Sequence, residues 1–98
     1  MAKYLATWEI NQSLVPDNPK DMAALAVKMS EMVKQELKEG QISDWGCSID
    51  GSTGYSLLEG NSIDTYKRIQ MYAPYVKFKV EEVLSIDNVL KTYKAMMK

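Results

Sequence analysis

ISDWGCSIDGSTGYSLLE, residues 42–59, reads as two strands folded back on each other by a tight turn. Ile42–Asp50 alternates in character and puts Trp45, Cys47 and Ile49 on one side. Asp50-Gly51-Ser52-Thr53-Gly54 follows, and aspartate and glycine tolerate the left-handed backbone that a hairpin needs. Tyr55–Glu59 is the short return strand. A hairpin in the middle of a 98-residue chain sharply restricts what can flank it.

On its N-terminal side, Lys3–Ile10 (KYLATWEI) is a strand with Tyr4, Ala6, Trp8 and Ile10 on one side and Leu5, Thr7 and Glu9 on the other. Asn11–Asn18 is a loop. Asn18 then caps a helix with Pro19 in its first turn, where a missing N–H costs nothing, and Asp21 complements the dipole. Met22, Leu25, Ala26, Met29, Met32 or Val33, and Leu37 form its apolar stripe, and Gly40 stops it. On the C-terminal side, Asn61 or Ser62 caps a second helix carrying Ile63, Tyr66 and Ile69, which Pro74 ends. Val76–Leu84 is the fourth strand, with Val76, Phe78 and Val80 alternating with Lys77, Lys79 and Glu81. Ser85 caps a short C-terminal helix that holds Val89, Leu90, Tyr93 and Met97.

The order is therefore βαββαβ plus a helix. Right-handed crossovers place strand three between strands one and two, which gives a 4-1-3-2 antiparallel sheet with the helices on one face. This is the ferredoxin-like α+β fold, and residues 1–98 form one domain. Strand four then runs against strand one and sets Glu9 near Lys77 and Lys79, and Lys3 near Glu81.

Composition excludes several classes of function. With 12 basic and 13 acidic residues interspersed, the net charge of −1 leaves no electrostatic footprint for nucleic acid. The third strand, Thr53-Gly54-Tyr55-Ser56-Leu57, also lacks the basic residue and second aromatic of an RNA-recognition motif. No apolar stretch approaches the roughly 20 residues of a membrane span, and Met1-Ala2-Lys3-Tyr4 does not open a secretory leader. The lone Cys47 excludes an internal disulfide and fits a reducing, cytoplasmic setting. With no histidine there is no Ser-His-Asp triad and no His-ligated metal or haem. Chemistry, if any, falls to carboxylates, tyrosines or lysines, and no motif implies a cofactor; Gly51 and Gly54 belong to a hairpin and not to a phosphate-binding loop.

From Asp50 onward, DGSTGYSLLEGNSIDTYKRI…PYVKFKVEEVLSIDNVL is similar to small members of the dimeric α+β barrel superfamily, to which muconolactone isomerase-like and antibiotic-biosynthesis monooxygenase-like proteins belong. The carriers of the likeness are the Gly54-Tyr55 strand ending in Glu59, the joint at Pro74 and the valine-rich strand Val76–Leu84. The resemblance implies a homodimer closed through sheet faces and a binding cavity between sheet and helices. The face offered here, with Leu5, Thr7, Glu9, Lys77, Lys79 and Val83, is mixed in character. A haem-handling role does not fit, because histidine is missing and Asn11 falls after the first strand.

Tyr4, Trp8, Trp45, Tyr55 and Tyr66 converge on that space, either as a filled core or as the lining of a pocket for a flat apolar ligand. Glu59 closes strand three; facing inward it would be a polar anchor or general base, and facing outward it would only end a strand. Asp44 and Asp50 lie roughly 20 Å apart along a strand and cannot work as a pair. Cys47 reads as a small buried hydrophobe. The expected role is binding of a small apolar or aromatic molecule. The alternatives are a cofactor-independent oxygenase or isomerase using Glu59 with a tyrosine, and a structural dimer with a filled core.

Overall fold

The computed structural model describes residues 2–97. Strand β1 (Ala2–Ile10) leads through a 3-10 turn (Gln12–Leu14) to helix α1 (Pro19–Lys38). The hairpin β2 (Ile42–Cys47) and β3 (Thr53–Gly60) follows, then α2 (Ser62–Gln70), β4 (Val76–Val83) and α3 (Ile86–Met96). The strands form one antiparallel sheet in the order β2-β3-β1-β4, which is 4-1-3-2 counted from the β4 edge. It is a small α+β fold.

Each helix begins where side-chain chemistry sets it. Asn18 accepts from the backbone N–H groups of Lys20 and Asp21, Asn61 from that of Asp64, and Ser85 from that of Asn88. These bonds satisfy donors that the first helical turn leaves without intrahelical partners. In the hairpin loop, Asp50 accepts from the Ser52 backbone N–H and from the Ser52 and Ser48 hydroxyls. Those bonds, the Ser52 backbone first, hold its carboxyl down to about 2. The strands end sooner at the turn than their alternation suggests: β2 stops at Cys47, and Ile49 stands fully exposed in the loop at 109%.

Alternation along the strands separates two faces. Tyr4, Ala6, Trp8 and Ile10 share the helix side with Gly54, Ser56 and Leu58 of β3 and with Val76, Phe78 and Val80 of β4. A bulge between Ile42 and Asp44 inserts one residue into β2. As a result Ile42 and Trp45, three apart in sequence, both reach the helix side. Ala6, Ile42 and Leu58 form the buried core, against which Val33 of α1, Ile69 of α2, Trp45 and Phe78 pack. On the outer face Glu9 lies opposite Lys77, but Lys3 lies opposite Val83 and its ion pair, at 3.9 Å, is with Glu59.

Helix α1 sits over β2 and α2 over β3, whereas α3 has no substantial packing contact with any strand or helix. The radius of gyration is 16.4 Å, against about 13 Å for a compact chain of this length. Among the described residues, no helix is long and apolar enough to cross a membrane.

Candidate functional site

The site grows from a shortage of bulk on β3. That strand lies between β1 and β2, and on the helix side it offers only Gly54 and Ser56 opposite Trp8 and Trp45. The two tryptophans stand on strands about 10 Å apart. They lean over the small residues and stack, with ring centroids 5.6 Å apart and planes at 20°. A side chain on Gly54 would occupy the space of the Trp8 ring.

Above this indole floor is a cavity of about 240 Å³ between the sheet and α1. Ala26, Met29, Ser30 and Val33 of α1 form its roof; Phe78, Tyr72 and Val76 form the wall on the β4 side. Tyr72 and Phe78 meet at 6.2 Å with planes tilted by 59°, so four aromatic rings frame the space. An adjoining cavity of about 300 Å³ shares Ile10, Ala26, Met29 and Gly51 and continues toward Asn11–Val15. The lining is apolar, and the residues with polar side-chain groups are few: Ser30, Ser56, Tyr72 and the two tryptophans. The Trp8 indole N–H is buried and finds no hydrogen-bond acceptor among the described residues. An unsatisfied buried donor typically costs about 1–3 kcal/mol.

Behind the wall lies a polar network. Glu36 in the last turn of α1 is buried at 4%, and its carboxylate accepts from the Tyr72 hydroxyl and, at 3.2 Å, from Arg68 Nη1. Arg68 also donates to the side chain of Gln41. These bonds tie α1, the segment before β2, α2 and the turn after it into one frame that holds the cavity's roof and wall. Burial, and after it the bond to Glu36, pushes the Tyr72 phenol well above its ordinary pKa. The neutral phenol is thus the form the fold stabilises. That stability is fully present below the ordinary tyrosine value, about 10, and is lost as pH rises toward the higher folded value. Urea melts at increasing pH should therefore show the wild type losing stability above about pH 10. Tyr72→Phe should lose it less steeply, and parallel losses would clear Tyr72 of this role.

Of the residues singled out from sequence, the structure brings Trp8 and Trp45 together at the cavity. Tyr4 shares their face but sits toward the other end of β1, outside the lining. Tyr55 is on the opposite face, where its ring covers Gly46 and its hydroxyl donates to Asp44 at 2.9 Å. Glu59 is on that outer face too, paired with Lys3 and half exposed, so the sheet separates it from the cavity. Tyr66 stands out from α2 at 64% exposure. Cys47 is exposed at the rim and not buried.

Tyr72, Glu36 and Arg68 escaped the sequence reading, and Phe78 was placed on its strand but not at the site. Glu36 falls on the apolar stripe at Met29 plus seven and Val33 plus three, the position that Leu37 was expected to fill. A charged residue at that spacing was the available signal. No group of metal-ligating side chains occurs among the described residues. No family model matches the sequence, and a search of curated proteins returns no match.

Proposed function

We propose that this protein binds a small, flat, largely apolar molecule in the cleft between the sheet and α1. The observation that carries the reading is the stacked Trp8–Trp45 floor beneath an apolar cavity. A cavity of roughly 150 Å³ takes benzene, so about 240 Å³ suits a fused bicyclic ring system. A ligand with a carbonyl acceptor gains further from the hydroxyls of Ser30 and Ser56, residues that line the cavity. An acid–base role for Glu59 finds no support in the geometry, because its carboxylate is directed away from the cleft. The reading includes self-association through the outer sheet faces, which all three helices leave bare and where Leu5, Leu57 and Val83 are half-buried.

The chain has two tryptophans, so each indole N–H gives one resolvable NMR cross-peak. Titration with 1-tetralone, a bicyclic aromatic ketone, should shift both peaks saturably. Tetralin, the same skeleton without the carbonyl, should bind about threefold to tenfold more weakly, as one neutral hydrogen bond allows. Saturable binding should disappear in Val33→Trp, which fills the cavity from the roof. Unmoved indole peaks with both compounds would overturn the proposal in favour of a filled core.

A further inference from the structure

Helix α3 carries an apolar stripe that the fold leaves uncovered. Ile86, Val89, Leu90, Tyr93, Met96 and Met97 recur at helical spacing on one side, yet the helix buries none of its residues. The molecule measures 63 × 24 × 22 Å. Its long axis is about twice the ~30 Å of a nine-residue strand or a 20-residue helix, because α3 projects beyond the sheet. Only Leu84 and Ser85 separate it from β4, and Ser85 is spent as its cap, so the connection leaves little length for folding back. An 11-residue helix is also too short to be stable in water without tertiary contacts.

The accessible surface gives the size of the missing contact. The chain exposes 7369 Å², whereas a compact monomer of 11.1 kDa exposes about 5,700 Å². The excess, about 1,700 Å² per chain, would bury about 3,400 Å² in a pair, within the range of obligate homodimers. A two-fold dimer uses the same surfaces on both copies, so one arm and one receiving surface per chain suffice. Beside the root of α3 the outer face offers Leu5, Leu57 and Val83 as neighbours across three strands.

We infer that α3 is a dimerisation arm, its apolar stripe seated on the outer sheet face of a second copy of this chain. The inference rests on the proposed self-association and adds the element that closes it. Leu90→Glu and Tyr93→Glu in the full chain test it by sedimentation velocity and amide hydrogen exchange. Both positions are exposed within the protomer, and glutamate keeps a high helix propensity, so neither change disturbs the sheet's own core. The wild type should sediment as a dimer with protected α3 amides. Each variant should dissociate at least about a hundredfold more readily, as loss of a central apolar anchor implies, with α3 protection lost and sheet protection kept. A wild-type dimer that the two variants leave equally tight would overturn the arm and spare the sheet-face association. A wild-type monomer would overturn both, and neither result touches the ligand titration.

Discussion

Gly54→Ala should lower the melting temperature by about 10–20 °C, the largest effect expected from adding a single methyl group to this chain. Gly54 lies directly opposite Trp8 in the β1–β3 ladder. A Cβ there would collide with the Trp8 indole and with the backbone carbonyl of Gly46 on the next strand. Its backbone conformation is one that any residue adopts, so the penalty is one of volume and not of φ. The ring cannot swing away freely, because Trp45 is stacked against it. The obstructing carbonyl can move only if the β2–β3 ladder does. Overpacking of this kind costs about 2–3 kcal/mol, and a domain of this size loses about 4–8 °C for each. Thermal unfolding followed by circular dichroism decides the matter. A drop of less than about 4 °C would mean that the indole pair has room to shift and is not a fixed floor.

The second large effect is expected from Arg68→Met. Its guanidinium is the only cation within ion-pair reach of Glu36 among the described residues, and the Glu36 side chain is only 5% exposed. Removing the cation leaves a carboxylate that burial keeps from water and that only the Tyr72 hydroxyl still serves. Breaking a buried pair on one side costs about 3–5 kcal/mol. The lower end applies here, because Arg68 keeps 21% of its side chain in solvent. Chemical denaturation should show the loss at neutral pH. Replacing the whole network, as in Glu36→Leu/Arg68→Met/Tyr72→Phe, should recover most of it, since no buried polar partner is then stranded. If the triple variant were less stable than Arg68→Met alone, the network's value would lie in packing and not in paired charge.

These two sites mark where the sequence was legible and where it was not. The element order, the caps at Asn18, Asn61 and Ser85 and the alternation of β1 rest on local chemistry, and each lies where the residues indicate. Helix α2 shows the limit of that reading. Counting apolar residues selects Ile63, Tyr66 and Ile69, but the face turned inward carries Thr65, Arg68, Ile69 and, just past the helix, Tyr72. Thr65 and Arg68 are tolerated there because each has a partner: the Asn61 carbonyl for the first, Glu36 and Gln41 for the second. A hydrophobic count cannot register partners that lie 27 and 32 residues away. Glu59 and Tyr55 depended on the parity of a short strand, which is fixed by the β1 register and not by the strand itself. The bulge between Ile42 and Asp44, which turns Trp45 toward the cleft, left no sign in composition.

The stacking of Trp8 on Trp45 also governs how this molecule looks in a spectrometer. Both indole chromophores of the chain are in one place, so intrinsic emission is a local signal from the floor of the cleft. Two nearly parallel rings at this separation couple their transitions and add an exciton band to the far-ultraviolet dichroism, on top of the helical signal. Emission and ellipticity therefore follow different parts of the same protein. A transition seen in dichroism while emission stays flat leaves the floor of the cleft intact, and one seen in emission first begins there.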